Sequence, residues 1–343
     1  MAFGGELRRG DSPSILEHFA GLGAELYAGD PHPGVRSAAA TLALVEAGNP
    51  TRRRCQLMAF LADGPSARGR VAAIINPHLV DEDGRPYGLL GFFECRDHED
   101  TARRLIDLGL EWLDRQGCRV VRGPINFTTF HDYRLVTSSA AAGWIPGEPY
   151  HPDYYPRLWR AAGMAPVTSY SSNWLPHEML EALQPSAEAS RAAGYTIRHL
   201  AGAADLEALY QLSTVSFAQA WMYSPITREE FAALYGADRV AKVASSTYLV
   251  HAADGAPVGF LYGFPVELDG RTATVCKSIA VLPEHRAGHP YQLLLHTWFR
   301  EQYEAGIRDF VGGLMHRDGA PGRLGWTTPE TCLREYEVYE RQL

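Results

Sequence analysis

The sequence predicts an α/β protein built of two similar halves, and three observations carry that prediction. The chain has 343 residues, more than the ~100–200 of a usual single domain. Hydrophobic residues make up 46% and charged residues 21%, proportions that allow a sizeable core and exclude a largely disordered chain. Residues 87–127 and 272–316 each run strand, turn, amphipathic helix, glycine, strand, which is the pattern of a duplicated α/β unit.

The elements follow in order. Helical periodicity over 15–28 and 37–47 flanks the breaker cluster Gly29-Asp30-Pro31-His32-Pro33-Gly34. Residues 56–61 and 69–75 read as strands, Asp83-Gly84 turns the chain, and 87–95 returns as a third strand. Residues 100–115 place Leu105, Ile106, Leu108, Gly109, Trp112 and Leu113 on one helical face, and Gln116-Gly117 ends that helix before a strand at 118–121. The stretch 177–194 is rich in Ala, Ser and Glu with few large apolar residues, so it is expected to connect the halves. The expected division is 1–176, a linker at 177–195, and 196–343. The second half reads as a strand at 196–200, helices at 204–220 and 227–235, and a strand at 246–251. A hairpin at 257–267 and 271–281, a helix at 288–303 and strands at 308–314 and 333–340 complete it.

Composition excludes several function classes. The formal net charge of −8 argues against a broad nucleic-acid surface or a polybasic membrane anchor. The apolar run at 87–93 falls far short of the ~20 residues that cross a bilayer, and no apolar run follows Arg8-Arg9, so a cytoplasmic location without a membrane span is expected. Five cysteines without a C-x-x-C pair and thirteen histidines without H-E-x-x-H imply neither a disulfide framework nor a metal site. Asp81-Glu82-Asp83-Gly84 reads as a hairpin turn rather than a calcium loop, and Arg52-Arg53-Arg54 as a solvated strand edge.

The chemistry concentrates in residues 276–295. There a strand runs into a short basic, glycine-containing turn and then a helix, whose N-terminal N–H groups form an anion site. Ile279-Ala-Val-Leu-Pro-Glu-His-Arg286 resembles motif A of the GNAT superfamily of N-acyltransferases. The element order of roughly 196–341, with Gly312-Gly-Leu-Met-His316 and Tyr336-Glu-Val-Tyr-Glu340, is similar to that family's later strands. The resemblance implies two tandem GNAT-like domains, each a mixed, mostly antiparallel twisted sheet flanked by helices. It further implies that Ile279, Ala280 and Val281 line a pantetheine arm while Arg286, Ala287, Gly288, His289 and Tyr291 surround phosphates. The turn departs from the family: His289 and Tyr291 stand where a glycine and a small residue are expected, and Pro290 removes an N–H donor. A carrier-protein phosphopantetheine, which needs less from the loop than acyl-CoA, is the alternative donor. The first half resembles the family more distantly through Gly91-Phe-Phe-Glu94, Arg122-Gly-Pro-Ile-Asn-Phe127 and His151-Pro-Asp-Tyr-Tyr-Pro156. Its turn, Glu94-Cys-Arg-Asp-His-Glu-Asp100, is acidic and repels pyrophosphate, so this half is expected to serve as scaffold and substrate wall.

Acyl transfer to an amine needs a base, a donor for the thioester carbonyl and an acid for the leaving thiolate. The family's strand glutamate is absent. Strand alternation puts Cys276 and Ser278 on one face and Lys277 on the other. His316, at the end of the following strand, is the nearest candidate base. Cys276 is a candidate nucleophile or a small core residue, and Tyr339, with Tyr336, stands in for the family's acid. Trp221 and Tyr223 fall where acceptors enter GNAT sites, and His131-Asp132 reads as a surface pair whose side chains point apart. The function so implied is an N-acyltransferase acting on a small amine, without metal, DNA or membrane partner. A Fem-like transferase using aminoacyl-tRNA, which the net acidity opposes, a non-catalytic binding protein, and thioester hydrolysis or decarboxylation in the same groove are the alternatives.

Overall fold

The computed structural model describes residues 6–30, 37–64, 67–141, 143–319 and 328–343. Residues 31–34 of the breaker cluster and residues 320–327 lie outside the described residues. The first half comprises β1 (Glu6–Gly10), α1 (Pro13–Leu26), α2 (Ala38–Val45), α3 (Pro50–Arg54), β2 (Gln56–Asp63), β3 (Gly69–Val80), β4 (Pro86–Cys95) and α4 (Glu99–Arg115). It continues through β5 (Val120–Gly123), β6 (Leu135–Ser139), α5 (Tyr155–Ala161) and β7 (Ala165–Trp174). Then come α6 (Met179–Ala192), β8 (Thr196–His199), α7 (Leu206–Ser216), α8 (Arg228–Tyr235), α9 (Ala237–Val243), β9 (Tyr248–His251), β10 (Pro257–Leu268), β11 (Arg271–Val281), α10 (Pro290–Glu304), β12 (Asp309–His316) and β13 (Cys332–Gln342).

Local chemistry sets many of these boundaries. Thr227 and Glu230 exchange side chain to backbone bonds in a capping box that starts α8, and Asn49 caps α3 by accepting from Thr51 N–H and Arg52 N–H, with Pro50 at its first position. Arg52, Arg53 and Arg54 therefore end a short helix rather than edge a strand. Arg53 and Arg54 reach across to Glu229 and Glu230 of α8 at 2.7 and 2.9 Å, tying the two halves. The expected linker is also structured: α6 buries Leu183 and Ala187 against α10 in the second half's core. Its buried face is narrow and made of small side chains, which is why its periodicity is faint.

The strands form one sheet in the order β1-β2-β3-β4-β5-β13-β7-β12-β11-β10-β9-β8, with β6 against β13. Its centre is an exchange. β13, the last strand of the second half, lies antiparallel to β5 of the first, from Tyr339↔Gly123 to Gln342↔Val120. β7, the last strand of the first half, lies antiparallel to β12 of the second, and β7 and β13 pair with each other from Cys332↔Asn173 to Glu340↔Ala165. Tyr336 and Val338 of β13 are fully buried beside Leu16 and Phe19 of α1, and Tyr339 is buried beside Trp159 of α5. The second half's last strand thus completes the first half's core.

A polar cluster fastens this centre. The Glu148 carboxylate accepts from Ser172 Oγ at 2.6 Å, Tyr336 OH at 2.5 Å and Arg334 Nη1 at 3.0 Å. Arg334 also donates to the Gly143 carbonyl, and Leu314 N–H donates to Ser172 Oγ at 2.9 Å. Glu148 and Arg334 are 3% and 5% exposed, so removing one charge strands the other. Glu148→Gln is expected to cost about 3–5 kcal/mol, read from urea unfolding followed by tryptophan fluorescence. Deleting residues 332–343 is expected to abolish cooperative unfolding of both halves in scanning calorimetry, since it bares the edges of β5 and β7 together; survival of a native first-half transition would contradict this.

Candidate functional site

β11 and β12 run parallel from Ala273↔Asp309 to Cys276↔Gly312 and then separate. Two irregularities open the wedge. On β12, Leu314 adopts φ 53° and its N–H turns to Ser172 Oγ, so the strand follows β7. On β11, Tyr262 faces Ser278 while Gly263 faces Cys276, which makes Lys277 the extra residue of a β-bulge. Among the described residues, the β11 edge from Lys277 to Val281 has no strand partner on the β12 side. The bulge also overturns simple alternation. Cys276 packs with Leu294 and Trp298 of α10, whereas Ala280 packs with Leu209 of α7 on the opposite face.

The first half shows the same divergence, stitched shut. β4 and β5 pair at Gly88↔Val121 and Leu89↔Arg122. Beyond them Ile125 N–H donates to Leu90 O at 2.9 Å, and Asn126 Oδ1 accepts from Phe92 N–H at 2.6 Å. Gly91 permits this, because a Cβ there would stand 2.5 Å from Ile125 O. The start of α4 already holds acids: Glu99 and Asp100 occupy its first turn, and Arg157 bridges Asp97 and Glu99.

After β11 the expected phosphate turn is a 3₁₀ turn over Pro283–Gly288, followed by His289 in the left-handed region at φ 59°. Pro290 opens α10 without an N–H to offer. Gly288 serves packing, since a Cβ would meet the Tyr195 ring at 2.6–3.0 Å, and Tyr195 OH pairs with His285 Nδ1 at 3.0 Å. Arg286 is exposed and spends its Nε on Val281 O at 3.2 Å. Tyr291 is part-buried against the α10 core, where burial raises its phenol. Ile279, Ala280, Val281, Arg286, Ala287, Gly288 and His289 do lie together along β11 and its turn. The strand edge suits an extended amide-bearing arm, whereas the turn offers few donors to a diphosphate.

On the face carrying α1–α3 and α7–α9, the loop from Pro124 to Tyr150 crosses the centre of the sheet. Lys277 is half-buried, with its Nζ over Gly147 in the space a Cβ there would take. Burial foremost, then Arg239, pushes its ammonium down to about 8, with Arg134 adding to the shift and Asp132 and Glu148 opposing it. Arg134 is held between the rings of Tyr133 and Tyr170, 3.6 and 4.0 Å from their centres. Of the expected surface pair Asp132 is exposed and His131 is part-buried: its Nδ1 pairs with Thr128 Oγ1 at 2.9 Å, its ring meets Phe127, and burial lowers it to about 4. Tyr223 packs on Phe130 of this loop and donates to Thr214 O, and Trp221 lies against Arg122. Both expected acceptor residues therefore stand at the junction of the halves.

The proposed catalytic set does not assemble. The Cys276 thiol is buried in the α10 core and pushed up to about 12. His316 Nδ1 accepts from Asp318 N–H at 3.2 Å, which leaves Nε2–H to donate to Thr168 Oγ1 at 2.9 Å. Burial lowers its pKa further, so its lone pair is already engaged and it is a neutral pin, not a base facing the wedge. Tyr339 donates to Glu337 at 2.6 Å beside Trp159 in the first half's core, and Tyr336 is committed to Glu148 and Ser172. Lys277 and Arg134 are the residues that sequence reasoning passed over. A lysine in the strand where the family carries its glutamate was the one available signal. Nothing local marks Arg134, whose second ring partner is distant in the chain.

The surface carries two open grooves elsewhere on the sheet. One of about 330 Å³ is lined by Thr168, Arg317, Asp318 and Tyr336 next to His316, and one of about 420 Å³ by Arg191, Arg198, Leu293 and Arg300 beside α10. Neither is lined by Lys277 or Arg134, so strand geometry rather than cavity size defines the site. Among the described residues no group of three His, Cys, Asp or Glu side chains is placed to hold a metal, and no helix is long and apolar enough to cross a membrane.

Comparison with known proteins agrees with this architecture. Residues 184–316 match the model of the acetyltransferase (GNAT) domain; no curated protein sequence matches the chain. A tandem GNAT protein from the clavulanic acid biosynthesis pathway superposes with a TM-score of 0.54 at 13% identity, covering 98% of each chain. A GCN5-related N-acetyltransferase from Sphaerobacter thermophilus gives 0.50 at 17% identity, covering 98% of this chain and 95% of that one. One from Anabaena variabilis gives 0.55 at 11% identity over 98% and 73%. The chain has the tandem GNAT fold, and its residues 184–316 match the acetyltransferase (GNAT) domain model in sequence.

Proposed function

We propose that the second half is an N-acyltransferase domain that takes its acyl group from a pantetheine thioester and passes it to an amine held between the halves. The observation that carries this reading is the edge of β11 from Lys277 to Val281, which among the described residues has no strand partner on the β12 side. A pantetheine arm bears two amides and adds to such an edge as a strand does. Lying there, it runs between the bulge at Lys277 and the start of α10. The first half, with its own wedge closed, supplies the opposite wall through Phe130, His131 and Arg134.

Lys277 is the group on this face suited to move the proton. With a pKa of about 8, roughly a quarter of it is free amine at pH 7.5, against about a thousandth at the ordinary lysine value. An unprotonated acceptor amine attacks the thioester carbonyl, the C–N bond forms and the C–S bond breaks. The proton shed by the new amide nitrogen goes to the Lys277 amine, which returns it to the leaving thiolate. Because burial lowers the pKa, the working amine form accumulates as pH rises through about 8 and is lost below it. Thiol release is expected to show that rising limb, and Lys277→Gln to lower kcat ~100-fold and flatten the limb; an unchanged profile would remove Lys277 from the mechanism.

The thin phosphate turn bears on the donor. In calorimetry, CoA is expected to bind no more than about tenfold tighter than phosphopantetheine, a difference of ~1.4 kcal/mol, and Arg286→Ala to change CoA binding less than about threefold. A ~100-fold preference for CoA that disappears in Arg286→Ala would instead assign a working diphosphate loop. Failure of both ligands to bind would sink the transferase reading.

A further inference from the structure

Arg134 carries an unusual charge. It is 6% exposed, and its backbone is held at φ 83°, a conformation that arginine rarely adopts. Its Nε and Nη1 are buried with no hydrogen-bond partner. Glu148, the carboxylate whose charge it feels, is already committed to Arg334, Tyr336 and Ser172. The rings of Tyr133 and Tyr170, which stand at right angles to each other, both lie against the guanidinium, which offsets part of the cost of burying it. Rings supply no acceptor for the in-plane N–H groups, and a buried donor without a partner is a standing penalty. The two rings hold the planar fork in place while its Nε–H and Nη1–H stay unmet, and a planar oxyanion bound by parallel N–H bonds is the partner that suits such a fork. Lys277, at the β11 bulge, lies near enough for Arg134 to influence it.

We infer that Arg134 is a receptor for the carboxylate of the acceptor, so that the amine acylated in this cleft belongs to an amino acid rather than a simple alkylamine. This rests on the transferase reading for the word acceptor, while the carboxylate site stands on the geometry of Arg134 alone. The guanidinium holds the carboxylate, and the fixed positive charge of Arg134 favours the free-amine form of the other end.

The test uses the full-length protein, acetyl-CoA and matched pairs: glycine with glycinamide, β-alanine with 3-aminopropanamide, and 4-aminobutyrate with its amide. Wild type is expected to favour the acids by about 10- to 100-fold in kcat/KM, mostly through KM. Arg134→Met is expected to stay folded with a ratio near one, and Arg134→Lys, which keeps the charge but loses the fork, to fall between. Amides turned over as well as acids, or a preference retained in Arg134→Met, would overturn the inference. A second arm needs no turnover: malonate and glycine are expected to raise the melting temperature of wild type and not of Arg134→Met, relative to chloride at equal ionic strength. If no amine is acylated yet that shift appears, the carboxylate site holds while the transferase reading fails; no shift in wild type sinks the site.

Discussion

Everything at the centre of this molecule depends on the pairing of β7 with β13. Each strand is the last of its half, and each has left its own half to lie against the other's parallel pair. A β-strand edge is a row of unmet donors and acceptors, and here two such edges satisfy each other inside one chain. The exchange explains why the halves form one sheet rather than two tethered units. It also fixes where the wall of one half stands relative to the wedge of the other. The Glu148 cluster follows from it, since Ser172 comes from β7, Arg334 and Tyr336 from β13, and Glu148 from the loop laid across both.

The two wedges show how one architecture was turned to two uses. Both halves part their central parallel strands and both carry a left-handed residue near the parting, Phe92 in one and Leu314 in the other. In the first half the following chain, through Ile125 and Asn126, turns back and bonds the freed edge. In the second, Ser172 of the exchanged strand takes the Leu314 N–H of β12, and among the described residues no strand pairs with the β12 side of β11 beyond Cys276. The difference lies in which neighbour answers a stray backbone group, a small local change that separates a closed scaffold from an open groove.

Much of the fold was legible in the sequence. Strands β2, β3, β4, β10 and β11 and helices α4 and α10 lie within a few residues of their expected spans, because alternation, turn dipeptides and apolar stripes are local signals. What was not legible was non-local. α6 has a narrow stripe of small buried residues, α3 depends on one asparagine cap, and β7 and β13, which pair with each other, belong to different halves of the chain. The candidate site divided the same way. The run from Ile279 to Tyr291 was recognisable as a motif, whereas the role of Lys277 depends on a bulge set by pairing with Tyr262 and Gly263. His316 was a sound candidate by type, and was displaced because Thr168 and the Asp318 N–H already occupy both its nitrogens.

The exchange also sets an order of events during synthesis. The first half emerges from the ribosome with β5 and β7 unpaired toward each other, and β13 closes both edges only after residues 332–342 have been made. At usual elongation rates the interval from the end of β7 to the end of β13 is roughly 10–30 s. During that time two sheet edges and the cavity left by Tyr336, Val338 and Tyr339 face solvent or a chaperone. A protein of this design is most exposed to misassembly while it is being made. Its second half therefore acts as an internal template on which the first is finished.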